Sequence, residues 1–125
     1  MRTVPRARFF FDAGSGGVLW TDSDGDRQRY GHPVEFTLLP VSQALRGGFG
    51  RLVEQYDRSL NWDYPPDPGP WREPECARFN QAVRRALRDL RDELGADWVI
   101  DDQFQDLHED PDLDRYLAHP SDFRR

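Results

Sequence analysis

Three stretches of this 125-residue chain carry residue types that could do chemistry. Phe9-Phe10-Phe11-Asp12-Ala13-Gly14-Ser15-Gly16-Gly17 sets a carboxylate ahead of a glycine run. In that arrangement backbone N–H groups can close on a phosphate while the acid orients a metal or a water. Asp22-x-Asp24-x-Asp26 brings three carboxylates close together, which is how a calcium loop opens. Asn61 to Trp71 holds two Trp, one Tyr and four Pro in 11 residues. Prolines reduce the entropy lost when a loop takes one shape, and Trp and Tyr are frequent anchors of interfaces.

The first two patterns are incomplete. The glycine run resembles the first motif of nucleotide-binding methyltransferases and the Asp-x-Gly-Ser-Gly loop of actin-like phosphotransferases, a resemblance that implies a bound nucleotide. The methyltransferase motif needs a helix at the glycines, where Val18-Leu19-Trp20 reads as a strand; the actin-like one needs a second lobe, for which 125 residues leave no room. A hairpin turn whose glycines supply positive φ is the simpler reading. The calcium pattern requires Gly at its sixth position and Glu at its twelfth, where Arg27 and Pro33 stand. An acidic turn cornered by Asp24-Gly25 is expected instead.

His32, His108 and His119 are too scattered for a metal triad, and His108-Glu109 lacks the second His of a helical zinc site. Cys76 shares an apolar register with Phe79 and Val83 and reads as a small core side chain. Being alone, it excludes an internal disulfide and any multi-cysteine zinc site. No cofactor, no metal and no catalytic residue is expected. The chain is more readily a binding protein than an enzyme.

The elements that must position these residues follow from periodicity. Arg8–Asp12 and Val18–Thr21 read as two strands of a hairpin, and Val34–Leu38 as an extended segment. Leu45, Phe49, Leu52, Val53, Tyr56 and Leu60 share one helical face, starting after Pro40 and Ser42. Gly47, Gly48 and Gly50 weaken its first turns, so this helix is expected to fray there or to begin nearer Gly50. Pro74 suits the first position of a second helix. Its stripe, Cys76, Phe79, Val83, Leu87, Leu90 and Leu94, ends at Gly95. On that helix Arg85–Asp89 and Arg88–Asp92 are spaced for i,i+4 ion pairs. Trp98–Ile100 reads as a strand, and Asp110-Pro111 as the cap of a short helix reaching Ala118. The expected architecture is one α+β domain over residues 1–125. It has a small antiparallel sheet of three to four strands, two main helices packed on one face and a short C-terminal helix.

All 17 basic residues are Arg, and the net charge is −6. Residues 1–96 hold 14 Arg against 14 acids, whereas residues 97–125 hold 9 acids against 3 Arg. The net charge therefore belongs to the last quarter of the chain. A pI near 5.0 argues against nucleic acid. No apolar run approaches the roughly 18 residues of a membrane span, and the first residues lack a signal peptide's apolar stretch, so a cytoplasmic address without membrane contact is expected.

Acidity, small size and an aromatic loop point to a protein that binds a partner with a basic surface. An immunity-type inhibitor of a toxin such as a nuclease is the leading expectation. The residues expected to meet the partner are Asp101, Asp102, Asp106, Glu109 and Asp110 of the acidic segment 97–125, with Trp62, Tyr64 and Trp71 of the loop. The competing expectations are a small metal- or phosphate-dependent enzyme using Asp12, Gly14–Gly17 and Asp22, Asp24 and Asp26, and a structural or oligomerisation subunit. An apolar stripe left bare on the first main helix would mark the latter.

Overall fold

The structure is a computed structural model that describes residues 3–125. Strand β1 (Arg6–Phe9) is central, with β2 (Leu19–Thr21) on one side and β3 (Val99–Asp102) on the other. Because side chains alternate along a strand, Ala7, Phe9 and the following Phe11 enter the core, whereas Arg8 and Phe10 lie on the opposite face. The hairpin forms as expected: β1 and β2 run antiparallel with Phe9 opposite Leu19, and Gly14 and Gly16 take positive φ in the turn. The sheet is nevertheless mixed, since β3 is parallel to β1 with Ile100 beside Ala7. The intervening helices return the chain to the end of the sheet where β1 starts, and Val99 N–H donates to Pro5 C=O at 2.9 Å.

Two local expectations are overturned between β2 and the first main helix. The acidic stretch is no open turn; it begins a helix, α1 (Asp24–Tyr30). Ser23 caps it by accepting from Asp26 N–H at 3.1 Å, the acids Asp24 and Asp26 sit in its first turn, and Arg27 and Arg29 sit in its last. Its missing signal is hydrophobic periodicity, for no residue of α1 is buried. Val34–Leu38 is not extended either. Residues Phe36–Leu38 form a 3-10 turn, and only Val34 reaches the sheet, donating to Leu19 C=O at 2.9 Å.

The main helices are α2 (Gln43–Arg58) and α3 (Glu73–Leu94). The glycines do not delay α2. Ser42 Oγ accepts from Leu45 N–H at 3.1 Å, and Glu93 at the far end of α3 accepts from Ser42 N–H at 2.6 Å, so the tertiary fold anchors the turn that propensity left weak. Leu45, Phe49 and Leu52 of α2 are buried, so the bare stripe of a structural subunit is not there. Along α3 the stripe from Cys76 to Leu94 is buried throughout and Gly95 closes the helix at φ +58°. A short helix, α4 (Leu113–Ala118), follows β3. The core gathers rings from every layer: Phe11 lies 5.4 Å from Phe79 and 5.1 Å from Tyr56, and Phe9 lies 6.0 Å from Phe49.

Candidate functional site

The aromatic loop is built around Asn61. Its Oδ1 accepts from the N–H groups of Asp63 and Tyr64 at 3.1 and 3.2 Å, and its Nδ2 donates to Pro68 C=O at 3.2 Å. Gly69 presses against the end of α2, where an added Cβ would come within 2.1 Å of Ser59 C=O. Trp71 turns inward, its ring 5.4 Å from Phe79. Trp62 and Tyr64 point the other way and are 58% and 59% exposed. The Trp62 ring is nevertheless held, because Nε1 donates to Asp57 C=O at 2.6 Å and the ring edge lies against Gly14. The Asp57 carboxylate in turn accepts from Gly14 N–H at 3.1 Å. One residue at the end of α2 thus joins the glycine-rich hairpin turn to the aromatic loop.

This junction answers the phosphate-loop question. Gly14 N–H is taken by Asp57, Ser15 N–H and Oγ both donate to Asp12 C=O, and Gly17 N–H faces Ser15 Oγ. Three backbone N–H groups of the turn and the Ser15 hydroxyl thus point back into the chain. The three acids of the next stretch are dispersed too: Asp22 sits 3.2 Å from Arg8, while Asp24 and Asp26 begin α1. Among the described residues no cluster of three or more His, Cys, Asp or Glu could hold a metal ion. Cys76 is buried, and desolvation, reinforced by the nearby Glu73, Glu75 and Glu109 carboxylates, pushes its thiol pKa up. It is thereby a poor nucleophile.

The acidic segment is ordered. After β3 it crosses α3 as a strap. The buried Asn80 side chain donates to Leu107 C=O at 2.9 Å and accepts from Leu107 N–H at 2.8 Å, pinning its middle. Most of its carboxylates meet cations of the same chain. Asp106 pairs with Arg84; Arg72 takes Asp114 at 2.8 Å and Glu109 at 3.6 Å; Arg125 takes Asp110 at 2.8 Å and Asp112 at 3.1 Å. Glu73 accepts from Glu109 N–H at 2.8 Å and lies 2.8 Å from His108. The Glu109 N–H bond first, and His108 second, hold the Glu73 carboxyl below its usual range, and Arg125 does the same for Asp110. Arg125 also donates to Pro66 C=O at 2.9 Å, so the chain's last residue ties the strap to the aromatic loop.

The expected partner-binding residues are therefore sorted by the fold. Asp106, Glu109 and Asp110 lie in ion pairs within the chain, and Trp71 lies against Phe79. Asp101 and Asp102 are exposed on β3 with no arginine in ion-pair range among the described residues; they accept only from Gln103 Nε2 and Phe104 N–H, each at 3.0 Å. Asp102 sits at the end of the sheet from which the hairpin turn leaves. There a cleft of about 450 Å³ opens between Phe10–Phe11 and the start of the strap at 103–107, with Tyr56 on its wall. Burial, then Asp12 and Asp57, raise the Tyr56 pKa, which keeps its hydroxyl a proton donor near two carboxylates. Tyr56 and Asp57 escape a reading by sequence. Tyr56 belongs to the core stripe of α2, and Asp57 is one off-stripe acid among many.

A family model described as Serratia CdiI immunity protein-like matches residues 11–102, about three quarters of the chain. The matched stretch runs from just beyond β1 to the last residue of β3, and so takes in the hairpin turn, the aromatic loop and both main helices; the strap lies beyond it. No curated protein matches the chain. With the model covering so much of the fold, the chain belongs to the Serratia CdiI immunity protein-like family.

Proposed function

We propose that this chain is an immunity protein that neutralises a toxin with a basic surface, and that it docks through the end of the sheet where the hairpin turn and the aromatic loop meet. Family membership supports the class of activity. The observation that carries the location is Trp62, more than half exposed yet held by Asp57 and Gly14. An aromatic side chain fixed before binding loses little entropy on contact and can bury a large area, which is how interface anchors work. Asp101 and Asp102 supply charge that no arginine among the described residues neutralises, and Tyr64 extends the aromatic surface. Asp106, Glu109, Asp110 and Trp71 serve by holding the strap and the loop in place. The protein acts in the cytoplasm, where the free thiol of Cys76 stays reduced.

The test is titration of the toxin domain recovered with the native protein at low salt. Trp62→Ala weakens binding by about 2 kcal/mol, roughly thirtyfold. Asp101→Asn with Asp102→Asn slows association and flattens its salt dependence. Wild-type affinity in both variants would exclude this end of the molecule as the docking surface, and recovery of no toxin at all would count against the immunity reading itself.

A further inference from the structure

The groove between α2 and α3, on the side away from the sheet, has a different chemistry. Two cavities of about 420 and 570 Å³ meet at Gln55 and Ala82 to form one trough along the helix pair. Gly48, Ala82 and Ala86 keep it open because they have almost no side chain to fill it. Four arginines line it, Arg51 and Arg85 in one half and Arg58 and Arg78 in the other. Among the described residues none of these four side chains has a carboxylate within ion-pair distance or any hydrogen-bond acceptor, in contrast to Arg72, Arg84 and Arg125, which pair with the strap's carboxylates. Even the i,i+4 pair expected between Arg85 and Asp89 is not made, nor is that between Arg88 and Asp92. Three acids line it as well: Asp89 and Glu93 in the first half, with Glu93 accepting from Ser42 N–H, and Glu75, which accepts from Arg72 N–H, in the second. In a protein of net charge −6 this trough keeps four unpaired guanidinium groups against three lining carboxylates, a local excess of one positive charge over small apolar side chains.

We propose that the α2–α3 groove is a docking site for an acidic, extended polypeptide segment of a partner protein. Charge complementarity selects acidic side chains, since guanidinium groups pair well with carboxylates. The Ala and Gly floor takes apolar side chains lying between them. Residues 44–58 make the trough roughly 20 Å long, room for about six residues of extended chain. A nucleic acid fits less well, because its phosphates continue past the trough on to an acidic body. The inference is independent of the toxin reading.

The probe is a labelled peptide of about seven residues in which Glu alternates with Leu, titrated by fluorescence anisotropy into the full chain. Binding is expected at low salt and weakens as salt rises. It falls about tenfold or more in the variant combining Arg51→Gln, Arg58→Gln, Arg78→Gln and Arg85→Gln, whose fold is checked by circular dichroism. The same four positions changed to Lys restore most of the affinity, and Arg88→Gln, on α3 but outside the groove, leaves it unchanged. Four results overturn the proposal: no binding by the wild-type protein; equal binding by the four-Gln variant; tighter binding of a single-stranded oligonucleotide of matching length; or a self-association that the four-Gln variant abolishes, which would make a second copy the occupant.

Discussion

The aromatic loop at 61–71 and the strap at 103–125 both carry residues that usually mark an interface, and the fold treats them in opposite ways. The loop projects Trp62 and Tyr64 into solvent on a frame of side-chain-to-backbone hydrogen bonds. The strap pairs its charge within the chain: among the described residues every carboxylate from Asp106 to Asp114 has an arginine of the same chain within 4 Å, leaving only Asp122. Formal charge along a sequence is thus a poor guide to charge available to a partner. Pairing with the strap's carboxylates occupies Arg72, Arg84 and Arg125, while the arginines of the α2–α3 groove, whose count cancels against acids of residues 1–96, stay unpaired among the described residues.

The sharpest way to break this contrast is at Gly69. Gly69→Ala drives a Cβ into the Ser59 carbonyl, and either the loop or the end of α2 must move. We expect a loss of about 3 kcal/mol in urea unfolding, together with a change in Trp fluorescence as Trp62 leaves Asp57. Retained stability with an unchanged spectrum would show that the loop is no rigid frame. Next comes the strap's central clamp. Asn80→Ala leaves both backbone groups of Leu107 without their partner and costs about 2 kcal/mol, with faster hydrogen exchange expected across residues 103–110. A loss confined to α3 would mean that the strap is held by its ion pairs alone.

Acid sharpens the same point. Glu73 and Asp110 have carboxyl groups held below their usual values in the folded protein, so their contribution is present above the unfolded carboxylate range, around pH 4, and is lost as pH falls through the lower folded values. The melting temperature should therefore drop more steeply below pH 4 in the wild type than in Glu73→Gln, which cannot titrate there. Parallel profiles would remove Glu73 from the account. The smallest effect belongs to the exposed Arg84–Asp106 pair, where Asp106→Asn changes stability by less than about 1 kcal/mol. A larger loss would mean that this pair, more than Asn80, fastens the strap.

Both long helices were legible because their apolar stripes recur at the α-helical period, with Pro74 and Gly95 marking the ends of α3. The hairpin was legible because glycines separate two short apolar runs. α1 was not, since a helix that buries nothing has no stripe and only its cap and end charges give it away. The direction of β3 was not legible either: Val99 and Ile100 alternate in the same way in a parallel or an antiparallel pair.

At the candidate site, sequence alone picked out Trp62, Tyr64, Asp101 and Asp102 by residue type and local density. It could not separate them from Trp71, Asp106, Glu109 and Asp110, which have the same types and a similar setting. Nor could it find Asp57, whose part is to join two segments more than 40 residues apart in the chain. Residue type determines what a group can bind. Whether that capacity is satisfied within the chain or left for a partner depends on which cation or ring the fold brings within a few ångströms, and only the tertiary structure decides that.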